Sequence, residues 1–386
     1  MIVKFKKFIK INKYDVIVIG GGAAGMAAAV NAASEKMKVA VLEAKPQPGG
    51  GARESWAIEN VIGFPKGVTG VEFYKTITDQ AAKFDVHIQT NCAVKKIETI
   101  GNHKFITAEN GEKFMAPTVI VATGLEPKPL PVIEKFLEKF IDKGVYYGMP
   151  PEVIKTKTSR LRANEGNVAL IGAGNSSGQA ALKLASIKGI TVNMVVRGVL
   201  DTVMSHYLVA QIRSHKHIKI FEKSNIVDVK GKDDWCSAIK LDNGTEIPVN
   251  AVFSYAGAVP EAAEWLKASG INLDEQGFVK TGKEVNSELK LETSVHGVFC
   301  AGDIRSGSDK RIQVAAGEGS SAISNIHAYM GNHPEIKSYY TPKQIQLKSN
   351  PCKYAWQKAA DGSICGDRAS LSPQTSKDFM LSLPDD

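Results

Sequence analysis

The sequence predicts an α/β fold with two units, each built by alternating strands and helices. Two glycine-bearing segments, 20–25 and 172–178, each follow a short apolar run and precede a stretch that indicates a helix. Strand, tight turn and helix in that order are typical of a Rossmann-like dinucleotide-binding unit, here expected as a three-layer ββα arrangement. A later apolar run ends in Gly302-Asp303 and resumes the first unit, so the second unit is predicted to be inserted into the first.

The first glycine segment has the features of a phosphate cradle. Gly20 permits the turn after the strand, Gly22 lets a phosphate approach the backbone, and Gly25 lets the helix lie close to the strand. The unpaired N–H groups of the helix N-terminus then face the diphosphate of a dinucleotide. A second apolar run ends in Glu43, whose carboxylate would accept hydrogen bonds from the adenosine ribose.

Segments further along the chain predict that this dinucleotide carries a flavin. The Gly- and Pro-rich loop 45–55 lies where a flavin ring would extend from the diphosphate, and loops this long are usually functional. The run 118–124 predicts another buried parallel strand that ends in small residues. Asp303 would accept a hydrogen bond from a ribityl or ribose hydroxyl. A helix from about Ile312 would direct its positive N-terminus at the reduced flavin.

The second glycine segment predicts a second dinucleotide. Gly172 and Gly174 repeat the first two glycines, and Ser177 occupies the third small position, where it still allows close packing. No acid follows the next strand, and Arg197 stands there instead. A cation suits the 2′-phosphate of NADPH better than the ribose diol of NADH, so we expect NADPH, with NADH as the alternative.

Composition and charge restrict the class of protein further. At 386 residues with a net charge of +8, the chain is long enough for a large core and favours anionic ligands or partners. No segment approaches the roughly 18 apolar residues of a membrane span, and no aromatic-interleaved basic run indicates nucleic-acid binding. The five cysteines are odd in number and mostly far apart, which favours a cytoplasmic protein. No cluster has metal-ligand spacing, so no metal is expected.

Taken together, these motifs resemble those of the low-molecular-weight thioredoxin reductases, which pass hydride from NADPH to FAD. The resemblance covers roughly Tyr14 to Met330 and implies FAD, NADPH and a homodimer built largely on the FAD domain. It includes Pro48-Gly49-Gly50-Gly51, similar to the family's Pro-Gly-Gly-Gln, and Lys310-Arg311-Ile312, similar to its flavin-contacting Arg-Gln. The FAD-binding residues expected from the motifs and the resemblance are Gly20, Gly22, Ala23, Ala24, Gly25, Glu43, Gly50, Gly51, Glu59, Asn60, Ala122, Thr123, Gly124, Gly302, Asp303, Lys310, Arg311 and Ile312. The NAD(P)H-binding residues expected are Gly172, Gly174, Asn175, Ser176, Ser177 and Arg197.

The sequence departs from this family at the redox centre. Gly148 and Pro151 stand where the family carries the two cysteines of Cys-x-x-Cys, and the chain contains no such motif. The family's His-Arg-Arg corresponds here to Val196-Arg197-Gly198. Both departures resemble the thioredoxin-reductase-like branch that lacks the redox dithiol. Tyr146 and Tyr147 are expected near the pyridine-nucleotide face, either stacked there or packed in the core.

The expected domain boundaries follow from the order of these motifs. They are a basic N-terminal extension at 1–13, the FAD-binding domain at 14–143 and 261–331, the NAD(P)H-binding domain at 144–260, and a polar C-terminal tail at 332–386. The extension is expected to be solvated or to form a short edge strand, with a helix on a membrane surface as the less favoured alternative.

Three hypotheses for the function remain open at this point. In the first, reduced FAD passes electrons directly to an acceptor, such as ferredoxin, flavodoxin, another small redox protein, a quinone or oxygen. In the second, Cys352 and Cys365 of the tail replace the missing redox pair and reduce a disulfide. In the third, the chain is a non-catalytic FAD-binding regulatory protein.

Overall fold

The computed structural model describes residues 11–128, 139–148, 161, 166–260 and 262–340. The chain divides into two compact units, 1–340 and 341–386, and all described residues belong to the first. None of the described helices is both long and apolar enough to cross a membrane.

The secondary structure alternates between strands and helices through most of this unit. The strands are β1 (Ile11–Lys13), β2 (Val16–Ile19), β3 (Val39–Leu42), β4 (His87–Gln89), β5 (Val94–Ile100), β6 (His103–Ala108), β7 (Lys113–Ala116), β8 (Thr118–Val121), β9 (Glu126–Pro127), β10 (Val145–Tyr147), β11 (Asn167–Ile171), β12 (Thr191–Val195), β13 (Ile218–Phe221), β14 (Ile226–Lys232), β15 (Trp235–Leu241), β16 (Glu246–Pro248), β17 (Ala251–Ser254), β18 (Ala258–Val259) and β19 (Val298–Cys300). The α-helices are α1 (Ala23–Ser34), α2 (Gly70–Lys83), α3 (Asn175–Ala185), α4 (His206–Ser214), α5 (Ala263–Ala268) and α6 (Ile312–Gly331). Short 3₁₀ helices cover Gly50–Glu54, Leu200–Thr202 and Gly282–Val285.

The first domain is built on a parallel sheet in the order β19-β8-β2-β3-β4. Its central strand has no exposed face, because alternate residues enter two different cores. Val16 and Val18 pack against helices α1, α2 and α6, whereas Ile17 and Ile19 pack towards the sheet β1-β7-β6-β5. The result is the predicted three-layer arrangement of helices, parallel sheet and mainly antiparallel sheet.

The second domain repeats this architecture. Its parallel sheet has the order β10-β17-β11-β12-β13, and the antiparallel sheet β14-β15-β16 forms the third layer. Val168 and Leu170 of β11 pack with helices α3 and α4, and Ala169 and Ile171 pack towards β14 and β15. Two hydrophobic layers therefore enclose this sheet as well.

The second domain is inserted into the first, as the sequence predicts. Strands β8 and β19 pair directly in the first sheet, although the whole second sheet lies between them in the chain. A two-stranded ribbon of β9 and β18 stands where the chain leaves and re-enters the first domain. The residues that follow the carboxyl ends of these strands therefore come from segments both before and after the inserted domain.

The ends of the described region are joined to the first domain. Residues 11–13 form an edge strand parallel to β7, which agrees with one of the two expectations for the N-terminal extension. The buried carboxylate of Asp15 accepts hydrogen bonds from Ser338 Oγ at 2.9 Å and from Tyr339 N at 2.5 Å. Apolar residues at helical spacing predict an amphipathic helix at 132–141. Most of this segment lies outside the described residues, and so does the tail from 341 onward.

Candidate functional site

The first glycine segment folds as a tight turn between β2 and α1. Gly20 has a φ of +105°, and a Cβ there would lie 2.3 Å from the carbonyl oxygen of Ala122. A Cβ on Gly25 would lie 1.9 Å from the Gly20 oxygen, so the helix can approach the strand only with glycine at this position. Gly22 has open space at its Cβ position and caps α1, whose first turn contains no acidic residue. The N–H groups of this turn therefore face space suited to an anion.

A cavity of about 780 Å³ extends from this turn. Most of the residues that the sequence assigns to FAD line it, and they come from both parts of the first domain. They are Gly20, Gly22, Ala23, Ala24, Glu43, Gly50, Gly51, Asn60, Ala122, Thr123, Gly124, Gly302, Asp303, Lys310, Arg311 and Ile312. Gly25 and Glu59 do not line it: Gly25 lies beneath the turn, and the Glu59 carboxylate interacts with the second domain.

Glu43 is held in place at one side of the cavity. Its Oε2 accepts a hydrogen bond from Gly21 N at 2.7 Å, and its Oε1 accepts one from Lys45 N at 2.8 Å. Each carboxylate oxygen has a second lone pair, so the group can still accept a ribose hydroxyl. Lys45 also forms an ion pair with Glu126 at 3.0 Å, and both side chains line the cavity without having been selected from the sequence.

At the other side of the cavity, an ion pair supports the Gly302-Asp303 turn. Glu318 of α6 binds Arg305 at 2.6 Å through Oε1 and accepts a hydrogen bond from Gly302 N at 2.8 Å through Oε2. Burial raises the pKa of Asp303, against the opposing effect of Lys310. Burial likewise lowers the pKa of Lys310, against the effect of Asp303.

The cavity wall carries polar atoms without partners among the described residues. Thr123 Oγ1, Asp303 Oδ1 and Tyr74 OH are buried and make no hydrogen bond there. Buried polar groups are nearly always paired, so these atoms fit a ligand with several hydroxyl and phosphate oxygens. The donor and acceptor chemistry of the cavity therefore fits FAD.

The second glycine segment forms a similar turn between β11 and α3. Gly172 has a φ of +133°, and a Cβ there would lie 2.5 Å from the Tyr255 oxygen. Ser177, at the third small position, is buried, and its Oγ donates to the Gly174 oxygen at 2.7 Å. Gly178 lies against Met204, where a Cβ would be 2.8 Å from Sδ. The turn is the one that the sequence predicts.

The start of α3 reaches the first cavity. Asn175 and Ser176, both assigned to NAD(P)H, line the cavity, and so does Gln179, which the sequence did not single out. Gly172, Gly174, Ser177 and Arg197 do not line it. Arg197 follows β12, is exposed, and forms no hydrogen bond or ion pair with another described residue. The two dinucleotide cradles thus meet at one cavity.

The two domains also meet through side chains around this cavity. Tyr207 of α4 lies near the Glu59 carboxylate of the first domain. Burial and then the Glu59 charge raise the pKa of Tyr207. Trp56 packs on the hydrophobic core of the second domain.

The segment expected to correspond to the family's Cys-x-x-Cys lies partly in the described region. Gly148 has a φ of +69°, which L side chains rarely adopt, and a Cβ there would lie 2.9 Å from Glu54 Oε2. Pro151 lies outside the described residues. Of the two expectations for Tyr146, the structure shows core packing: its ring is buried and stacks on Phe253 at 5.6 Å.

The three described cysteines are buried and are not paired with one another. Burial raises the pKa of Cys92 to about 11 and that of Cys236 to about 12. Burial also raises the pKa of Cys300. The thiolate is the reactive form, so these three side chains are inert at neutral pH. Cys352 and Cys365 lie outside the described residues, and their proposed redox role stays a prediction.

Two dinucleotide-binding folds, one inserted into the other, meet at one cavity and define a two-domain, dinucleotide-dependent oxidoreductase. The sequence profile described as pyridine nucleotide-disulphide oxidoreductase matches residues 14–319, and the chain belongs to this family. Its thioredoxin-reductase-like members are enzymes that bind FAD and NADPH.

Proteins with similar sequences agree with this family assignment. A 34.2 kDa protein in the rubredoxin operon of Clostridium pasteurianum is 28% identical over 322 residues, which are 82% of this chain and 97% of that protein. The thioredoxin reductase of Helicobacter pylori is 26% identical over 328 residues, 83% of this chain and 99% of that protein. One subunit of the alkyl hydroperoxide reductase of Staphylococcus epidermidis is 28% identical over 324 residues, 82% of this chain but only 59% of that protein.

Solved structures agree on the fold. The thioredoxin reductase of Lactococcus lactis, in the conformation designated FR, matches with a TM-score of 0.72 and 26% identity, over 83% of this chain and 99% of that chain. The thioredoxin reductase of T. acidophilum matches with a TM-score of 0.71 and 28% identity, with the same coverage.

Proposed function

We propose that this chain is an FAD-dependent NAD(P)H oxidoreductase that passes electrons to an external acceptor without a dithiol of its own between flavin and acceptor. The observation that carries the proposal is the meeting of the two cradles. Asn175 and Ser176 of the second cradle line the same cavity as Gly22 and Asp303 of the first. A dinucleotide held by its diphosphate at the start of α3 could therefore extend its nicotinamide beside the flavin, which is what hydride transfer requires.

The residues of the cavity have separate roles in this proposal. When bound, FAD supplies hydride acceptance from the nicotinamide and electron donation to the acceptor. The turn at Gly20–Gly22 holds the diphosphate, and Glu43 holds the adenosine ribose. Asp303, Thr123 and the positive N-terminus of α6 hold the ribityl and flavin end. These roles require positioning and charge, and no side-chain nucleophile.

The identity of the nucleotide rests on Arg197. This side chain, unpaired among the described residues, follows the end of β12, where the adenosine ribose of a dinucleotide lies in this fold. The neighbouring acids Asp201 and Glu222 are both bound by Arg213, at 2.5 and 2.7 Å. Arg197 therefore remains available for a 2′-phosphate, which favours NADPH over NADH.

The absence of an internal dithiol is supported by the sequence and by Gly148. No two of the five cysteines have Cys-x-x-Cys spacing, and the described cysteines are buried. Gly148 occupies a backbone conformation that suits glycine rather than cysteine.

The acceptor is proposed to be a small redox protein. Similar proteins include part of an alkyl hydroperoxide reductase and a protein of a rubredoxin operon, both named for redox systems. The net charge of +8 favours an acidic carrier such as ferredoxin or flavodoxin through electrostatic steering. A cytoplasmic homodimer stays part of the proposal.

Anaerobic stopped-flow reduction tests the function directly. The purified yellow protein should be bleached by NADPH faster than by NADH, and the reduced protein should then be reoxidised by ferredoxin, flavodoxin, a quinone or oxygen. Thioredoxin disulfide should not reoxidise it. A protein that holds FAD but is bleached by neither nucleotide would instead be a binding protein, and one that never binds FAD would end the proposal.

A further inference from the structure

Tyr74 belongs to none of the sequence motifs that define the site. Tyr74 is 1% exposed and lines the cavity, yet its hydroxyl makes no hydrogen bond to any described residue. A buried hydroxyl without a partner is destabilising, so its presence at a binding cavity calls for an explanation.

Local structure fixes where this side chain lies. A capping box starts α2, in which Thr69 Oγ1 accepts from Glu72 N and Glu72 Oε2 accepts from Thr69 N. Gly70 then lets the helix approach the 3₁₀ segment Gly50–Glu54 closely, since a Cβ at Gly70 would lie 2.2 Å from the Ala52 oxygen. Tyr74 follows one turn later and is part of the core beneath the first glycine segment.

Tyr74, Glu43 and Asp303 line the same cavity. Burial first, and then the carboxylates of Asp303 and Glu43, raise the pKa of Tyr74. The Tyr74 hydroxyl is therefore a neutral hydrogen-bond donor, and both carboxylates interact with it electrostatically. Glu43 marks the adenosine ribose and Asp303 marks the ribityl end, and the diphosphate is the part of a flavin dinucleotide between them.

We propose that the Tyr74 hydroxyl donates a hydrogen bond to a diphosphate oxygen of FAD and is a positioning residue for this cofactor. The proposal rests on the FAD-binding function proposed above and adds a donor from α2 to the backbone donors of the first glycine turn. Next to two carboxylates, a neutral donor adds no further negative charge near the anionic diphosphate.

The test is Tyr74→Phe in the full-length protein, with FAD affinity and FAD release as the readouts. A hydrogen bond to a charged group predicts about 10-fold to 100-fold weaker binding of FAD and a correspondingly faster release on dilution, followed by flavin fluorescence. The FAD-free variant should melt at the same temperature as the wild type or higher, because an unpaired buried hydroxyl has been removed. Tyr329→Phe is the matched control, since Tyr329 is 6% exposed and does not line the cavity.

Two results would overturn the proposal. One is a Tyr74→Phe protein that binds and releases FAD as the wild type does. The other is a lower melting temperature of the FAD-free variant, which would show that the hydroxyl stabilises the fold itself. Failure of the proposed function is distinguishable from both, because there the wild-type protein would bind no FAD.

Discussion

Lys183 Nζ of α3 lies 5.2 Å from the centre of the Trp56 ring, and this cation–π contact joins the second domain to the first. Trp56 directly follows the loop that forms one wall of the cavity, and Lys183 is on the helix that begins at Asn175. The contact therefore links the wall of one cradle to the helix of the other. It favours the arrangement in which both cradles face the same space.

Lys183→Ala should slow flavin reduction by NADPH. A cation–π contact at an exposed site contributes about 0.5–1 kcal/mol, which corresponds to roughly a two- to fivefold lower rate constant at limiting NADPH. Stopped-flow measurement of flavin bleaching checks this. Lys188→Ala, just beyond the end of the same helix, is the control, since Lys188 is exposed and forms no hydrogen bond, ion pair or ring contact with another described residue. Equal effects of the two variants would show that the Trp56 contact does not favour hydride transfer.

The two glycines of the first turn should respond differently to alanine. Gly25→Ala places a methyl group 1.9 Å from the Gly20 oxygen and should lower the free energy of unfolding by about 3 kcal/mol. Gly22→Ala meets no protein atom within 4 Å, so stability should change by less than about 0.5 kcal/mol. Its methyl group instead enters the space of the diphosphate, and FAD affinity should fall roughly tenfold or more. Urea unfolding and FAD titration separate the two effects.

The Arg305–Glu318 pair should matter far more than an exposed pair. Glu318→Ala leaves the Arg305 charge and the Gly302 N–H without their partner, and should lower the free energy of unfolding by about 2–4 kcal/mol. Glu318→Gln keeps an acceptor for Gly302 and should cost less. The exposed pair Lys75–Asp79 provides the control, since Asp79→Ala should cost less than about 0.5 kcal/mol in the same urea experiment.

Arg197→Ala should lower kcat/KM with NADPH and leave kcat/KM with NADH almost unchanged. Loss of a charge-assisted hydrogen bond to the 2′-phosphate predicts roughly a 10- to 100-fold lower kcat/KM with NADPH and little change with NADH. Arg213→Ala is the control, because that guanidinium is engaged by Asp201 and Glu222. A parallel loss with both nucleotides would contradict a phosphate-binding role for Arg197.

The cysteines should be dispensable. In a variant with Cys352→Ser and Cys365→Ser, the remaining thiols have pKa values raised to about 11 for Cys92 and about 12 for Cys236, and Cys300 is wholly buried. We expect this variant to resist alkylation in its folded state at pH 8 and to transfer electrons at the wild-type rate. Loss of disulfide reduction in the variant would instead support the tail cysteines as the redox pair.

The sequence predicted the elements whose cause is local. Runs such as Val16–Ile19 are apolar at every position, which indicates a strand buried on both faces, and Gly20 marks the turn that follows. The return of the chain to the first domain after the inserted one followed from the position of Gly302-Asp303. These features depend on a few neighbouring residues or on the order of motifs along the chain.

Contacts between distant segments were not predictable in the same way. The spacing of Thr69 and Glu72 indicates where α2 starts. Tyr74 lines the cavity, however, because Gly70 lies close to Ala52, and the pattern of apolar residues does not predict that contact. Glu59 interacts with Tyr207 because of where the second domain lies, and the sequence placed it at the flavin instead.

The pairing of β8 with β19 has a consequence for biosynthesis. During translation the complete inserted domain leaves the ribosome before the strand that finishes the outer sheet, so the inserted domain can fold while its host is still open. The host then closes through contacts of high sequence separation, which form slowly. Gly302-Asp303 and α6 arrive only in that final stage, so a ribosome stalled before them should display a folded inner domain unable to retain the flavin.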